Sequence, residues 1–395
     1  MTNLSAELPD LRRLQLTCLS IGIIAMAACL VELFFNRQQF FQSYLMAYIF
    51  WVGIPVGCFG LVMIHHLVGG TWGFVIQRPL EAAIRTFPVM AVLFLPIFFG
   101  LSDLYPWARP EVVAHDPVLK HKAPYLNVAF FSGRAVLYFA IWISVSYFLI
   151  KWSRDQERTG DNSFIERIQT LSGPGLVLYG STVTFSVIDW IMSLEPHWSS
   201  TIYGMIFMVS HGLVALTFIV IVVFFLTRQE PLADVMAPWI FQDLGNLMLA
   251  LIMLWAYTSF SQFLLVWVEN LNHEIPWYLH RIFGGWRTMA ISLVGLQFAL
   301  PFLLLLSRMV KRSQGLFAVA LLIAFMHLVE MFWFVAPAFH SSNFSISWTD
   351  VLAPIGLGAL WIAAFLWQLP GRPLLPFRDP RFVAIVHKHE LVKNG

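Results

Sequence analysis

The chain is 395 residues long, 58% hydrophobic and 16% aromatic, with only 12% charged residues. A soluble domain carries about 25% charged residues. A mean hydropathy of +0.72 leaves more apolar surface than one core can hide, which excludes a soluble enzyme, a secreted disulfide scaffold and a disordered protein. The net charge of +2 lacks the concentrated basic face of a nucleic-acid binder. The three cysteines, Cys18, Cys29 and Cys58, all lie in apolar runs and are too few for an iron–sulfur cluster.

A spanning helix needs about 20 mostly apolar residues. Ten such runs occur, over 14–34, 41–67, 86–102, 127–150, 171–193, 202–227, 241–266, 284–307, 316–337 and 350–369. None alternates like a barrel strand, so the expected fold is an all-α integral membrane protein with ten transmembrane helices. The first run carries Arg12 and Arg13 with Glu7 and Asp10 ahead of it, and reads as a retained helix rather than a cleaved signal. Segment 69–83 (GGTWGFVIQRPLEAA), between the second and third runs, reads as a piece lying along the membrane surface. The prolines of 103–126 exclude a long helix in that connection. Even spans place both termini on one side. The 24 basic residues then divide 17 to 7 in favour of that side, which the positive-inside rule makes cytoplasmic.

The third run ends in FGLSDLYPW, the fifth in IDWIMSLEPHW and the seventh in VWVENLNHEIPWY, each an acid followed by Pro and Trp. The spacing fits two four-helix bundles, helices 2–5 over 41–195 and helices 6–9 over 196–340. They are flanked by the N-terminal segment with helix 1 (1–40) and by helix 10 with a cytoplasmic tail (341–395). Chance similarity among Trp-rich helix ends explains the pattern equally well.

Ionisable groups at bilayer depth are costly, so they mark where function is sought. His211 falls near the middle of the sixth run and His327 near the middle of the ninth. Glu330 follows His327 at i+3, on the same helix face. A His–Glu pair can share and pass a proton near neutral pH; the alternative is a satisfied packing pair. Asp189, at the end of the fifth run, and Arg134, inside the fourth, form an outer-half group with Arg287 nearby. Asp103, Glu32, Glu269 and Asp350 approach the same boundary, where interfacial solvation suffices for Glu32 and Asp350. On the opposite side, His65 and His66 close the second run, Glu81 follows, and Asp243 opens the seventh. With Ser210, Tyr179 and Tyr257 they are candidates for an uptake path, although Asp243 also suits a helix N-terminus on dipole grounds alone. His211 and His327 match in depth as a bis-His haem pair would require. No paired-His signature repeats, and no c-type CxxCH motif occurs.

The stretch CFGLVMIHHLVGGTWGFVIQRPLEAA after the second run and IDWIMSLEPHWSSTIYGMIFM across the fifth and sixth resemble the NrfD/polysulfide-reductase family of membrane subunits. They are most similar to its ActF-type branch in bacterial alternative complex III, a quinol:electron-acceptor oxidoreductase. The resemblance runs over essentially the whole chain, and DWIMSLEPHW is its most specific block. It implies a multi-pass subunit of the bacterial inner (cytoplasmic) membrane, not catalytic alone, that binds no haem or cluster itself. Quinone or menaquinone would serve the complex, with haem c and iron–sulfur clusters on partner subunits. The implied partners are a larger NrfD-like paralogue, an iron–sulfur/molybdopterin-like subunit, c-type cytochrome subunits and small membrane subunits. Two rival readings remain. A secondary transporter would break its helices at GIPVG (53–57) and PIGLG (354–358), and a structural anchor would use none of the buried ionisable groups.

Overall fold

The computed structural model describes residues 9–227, 238–340, 344–370 and 379. Six of the counted basic residues, Arg228, Arg372, Arg378, Arg381, Lys388 and Lys393, lie outside them. The described chain is helical with no strand. The long helices are α1 Pro9–Phe35, α2 Arg37–Val68, α3 Thr71–Ile84, α4 Phe87–Phe99, α5 Val128–Thr159, α6 Ser163–Trp190, α7 Tyr203–Leu226 and α8 Pro238–Glu269. After these come α9, Gly285–Leu306, then α10 Ser313–Val335 and α11 Trp348–Gln368. Among the described residues nine helices are long and apolar enough to cross a membrane, and ten if the bent pair α3–α4 is one span. The protein is therefore a multi-pass, all-α membrane protein.

Local chemistry sets several boundaries. Asn36 accepts from the Gln39 amide and starts α2, and Asn127 does the same for α5 through Phe130, each supplying an acceptor for an orphan helix donor. Ser347 and Asp350 form a capping box at α11. Gly160, at φ 76°, closes α5 in the left-handed region.

Segment 69–83 is packed within the protein. In α3, Phe74, Val75, Ile76, Leu80 and even Arg78 and Glu81 are buried, because the helix packs against α2, α7, α8 and α11. Its charges can leave water because they satisfy one another, as described below. α4 is only 13 residues, about 20 Å, so crossing a core of about 30 Å requires α3 as well. The 40° bend between them is pinned by Thr86, whose hydroxyl donates to the Ala83 carbonyl and accepts from the Trp361 indole of α11 at 2.9 Å. This is where the helix path breaks. The GIPVG and PIGLG segments both stay within continuous helices, α2 and α11.

Helix α2 packs against α3, α4 and α6, and α5 packs against α4 and α6. Likewise α7 packs against α8 and α10, and α9 against both of these. The two groups meet where α2 and α6 cross α7 and where α2 touches α10, while α11 lies over α1 and α2. The α2–α7 crossing is close. A Cβ at Gly57 would sit 2.0 Å from the His211 carbonyl oxygen, and one at Gly53 would sit 2.6 Å from the His211 ring. Only glycine permits that approach.

Candidate functional site

About a third of the way in from the Tyr203 end of α7 and the Val335 end of α10, the structure brings together three of the candidate residues, His211, His327 and Glu330, with Ser210. All four are at least 96% buried. Glu330 Oε2 lies 2.8 Å from His327 Nδ1, accepts from the Ser210 hydroxyl at 2.5 Å and accepts from Gln297 Nε2 at 3.1 Å. Its Oε1 accepts from the Trp255 indole at 2.6 Å. Ser210 Oγ is also 3.1 Å from His327 Nδ1. The carboxylate thus meets donors from α7, α8, α9 and its own helix. None is a Lys or Arg, which leaves His327 as its one cationic candidate among these partners.

The histidine rings continue the group. The centroids of His327 and His211 are 6.2 Å apart and nearly perpendicular. Phe50 packs on His327 and Phe207 on His211. Among the described residues, His327 Nε2, both ring nitrogens of His211 and Gln297 Oε1 are buried without a hydrogen-bond partner. Orphan polar atoms are uncommon in packed interiors, and four of them lie in this group.

Gln297 and Trp255 escape sequence reasoning, since each sits in an apolar run with no distinguishing neighbour. Gln297 is delivered by a π-helical turn over Leu293–Ala299 inside α9. Such turns insert an extra residue and occur often at functional sites. Here the turn aims a fully buried amide at Glu330.

Asp189 and Arg134 also come together, in a separate group. Arg134 on α5 grips Asp189 on α6 with two bonds, Nε to Oδ2 at 2.8 Å and Nη2 to Oδ1 at 2.7 Å. Tyr138 donates to the same carboxylate at 2.7 Å. The guanidinium also donates to the Tyr125 carbonyl and lies over the rings of Tyr125 and Phe130, at 3.8 and 4.5 Å. Asp189 is 0% exposed. A bidentate charged pair of this kind is strong and geometrically fixed, so its chemistry is that of a lock. Asp189 stands seven residues before Pro196 and Glu330 seven before Pro337, and yet their surroundings are opposite.

His65 and His66 are buried at the far end of α2, where His65 packs against Trp72 and Phe74. They stand eight or more residues beyond the His211 contact at Gly57, about 12 Å along the helix, and the structure does not join them to it. Nearby, Arg78 bonds Glu81 at 2.8 Å and Glu157 at 2.5 Å, and Ser153 and Gln77 also donate to Glu81. Asp243 is half-buried in the first turns of α8. Asp350, expected to be solvated, is instead 7% exposed, since Ser43 and Gln39 of α2 donate to it at 2.6 and 3.1 Å.

At the opposite end of the bundle from His65, Glu195 accepts from Arg281 Nη2 at 2.6 Å and lies 3.3 Å from His280 Nδ1. Burial would push this carboxyl up, but Arg281 and His280 outweigh it and hold it below the ordinary glutamate value. Among the described residues, no group of three or more His, Cys, Asp or Glu is arranged to hold a metal. The chain matches no known protein family, and it matches no curated protein.

Proposed function

We propose that this chain is a membrane subunit of a respiratory quinol:electron-acceptor oxidoreductase of the NrfD-like, alternative complex III kind. In this reading it has ten spans in two four-helix bundles, with both termini cytoplasmic in a bacterial inner membrane. Redox cofactors sit on partner subunits, and this chain contributes a proton path through its second bundle. The observation that carries the proton role is the buried Glu330–His327 pair beside His211, ringed by neutral donors and by unpartnered ring nitrogens.

The chemistry follows from the atoms. With Glu330 ionised, His327 donates from Nδ1. A proton arriving on its Nε2 makes an imidazolium, and transfer of the Nδ1 proton to Glu330 Oε2 leaves a neutral carboxyl and a neutral imidazole. Ser210 can rotate its hydroxyl as the carboxylate gains its proton. The site then holds one extra proton without leaving a net charge buried, which avoids the cost of an unpaired ion in low dielectric. His211 is the neighbouring ring, with centroids 6.2 Å apart, and a bridging water would carry the proton between its unpartnered nitrogens and His327 Nε2.

The test uses the assembly isolated through a tag on this chain. It should carry c-type cytochromes, and Glu330→Gln or His211→Phe should lower protons released per electron while assembly persists. Unchanged coupling with intact assembly removes the proton role. A tagged chain that purifies as a homo-oligomer without cytochromes removes the respiratory reading.

A further inference from the structure

The groups around Glu330 offer one more contact than a single protonation state can use. With the carboxylate ionised, His327 Nδ1, the Ser210 hydroxyl and Gln297 Nε2 all donate to its Oε2, at 2.8, 2.5 and 3.1 Å, and the Trp255 indole donates to its Oε1. Ser210 Oγ also stands 3.1 Å from His327 Nδ1. In the ionised state both of these atoms aim their protons at the carboxylate, so this contact has no proton of its own. It gains one when Nδ1 is bare and Ser210 turns its hydroxyl towards it, which is the state reached once Glu330 holds the proton.

Gln297 is one-sided in the same way. Its Nε2 donates to Glu330, while its Oε1, on a side chain 0% exposed, is buried without a partner. A side-chain amide has nearly the same shape with its oxygen and nitrogen exchanged, so reversal about the Cγ–Cδ bond needs no extra room. Either orientation leaves one polar end unpartnered, at a cost of the same order, and Glu330 decides between them. A carboxylate needs the N–H end, whereas a carboxyl group has a hydroxyl to give and needs the oxygen.

We infer that Gln297 is a positioning residue whose amide reverses as Glu330 takes up its proton, so that the amide oxygen receives the carboxyl hydroxyl and holds it away from His327. This rests on the proton reading above and specifies how the loaded site stays loaded. The Nδ1 proton of the His327 imidazolium moves to Glu330 Oε2, turning an ion pair into two neutral groups. The new O–H bond swings to Gln297 Oε1, Ser210 moves its donation from Glu330 Oε2 to the bare Nδ1, and Trp255 keeps its bond throughout. An amide oxygen is a weak base, and Nδ1 is then occupied by Ser210, so the proton is not handed straight back. The titratable groups on this side of Glu330 are His327 on its own helix and, beyond it, His211 on α7. Tyr203 stands two turns from Ser210 along α7. Helices α8 and α9 present Trp255 and Gln297, which do not titrate, and α2 presents Phe50 to His327.

The experiment is infrared difference spectroscopy during a pH titration of the full chain in lipid vesicles, with carbon-13 at the glutamine side-chain carbonyls. Glu330→Gln identifies the carboxyl band and Gln297→Met the amide band. As the Glu330 band grows, the Gln297 carbonyl band should shift to lower frequency with the same pH midpoint, because a carbonyl that gains a donor softens. An amide that kept its N–H end on Glu330 would see that bond weaken as the charge is lost, and its carbonyl band would rise. A Gln297 band that stays or rises while Glu330 titrates overturns the reversal and leaves the proton reading standing. Absence of any titrating Glu330 band in the unsubstituted chain overturns the proton reading itself, and the reversal with it.

Discussion

The Arg134–Asp189 pair offers the sharpest test of which buried carboxylate is free to exchange protons. Arg134→Met removes both bonds to Asp189 and leaves that fully buried carboxylate with Tyr138 as its one side-chain donor. Breaking a buried pair costs about 3–5 kcal/mol, and losing the contacts with Tyr125 and Phe130 adds about 1 kcal/mol. Asp189→Leu strands the guanidinium and should cost a similar amount. The double variant Arg134→Met/Asp189→Leu removes both charges and leaves the Tyr138 hydroxyl and Tyr125 carbonyl to find partners, at about 2 kcal/mol. The two single costs should therefore exceed the double by about 6–10 kcal/mol. Cys29 and Cys58 are fully buried, so a thiol-reactive dye reports unfolding directly in a Cys18→Ser background. Single variants that each cost under about 1 kcal/mol and simply add would mean that Arg134 does not lock Asp189. Asp189 would then rejoin the proton path.

Gln297→Met keeps the volume but removes one donor from Glu330. A bond to a charged group contributes about 1.5 kcal/mol or more, so the pH midpoint of the Glu330 infrared band should move by about one unit; an unmoved midpoint would make the π turn structural only. Gly57→Ala places a methyl against the His211 carbonyl and should destabilise by about 1–3 kcal/mol, measured by the same dye, while Gly133→Ala, which meets open space, should cost far less. Glu195 is held below its unfolded value, so its contribution is present above that value and is lost as pH falls through the folded one. Stability should drop in mild acid below about pH 4, and Glu195→Gln should flatten that limb in a thermal titration.

Composition and periodicity determined that the chain is a multi-pass helical protein, because about 20 apolar residues in a row have few other stable solutions; they did not anticipate α3 as an interior helix. The cost of burying charge likewise marked His211, His327, Glu330, Asp189 and Arg134 before any coordinates. The pairings among them were not legible, since Glu330 meets Ser210, Trp255 and Gln297 across 120, 75 and 33 residues. Asp189 and Glu330 stand in the same relation to a following proline, yet α5 brings Arg134 to one and α9 brings only an amide to the other. Packing alone made one carboxylate a lock and left the other surrounded by groups that can let go. It also drew α3 into the interior, where Arg78 and Glu81 bond one another and meet Ser153 and Glu157 of α5.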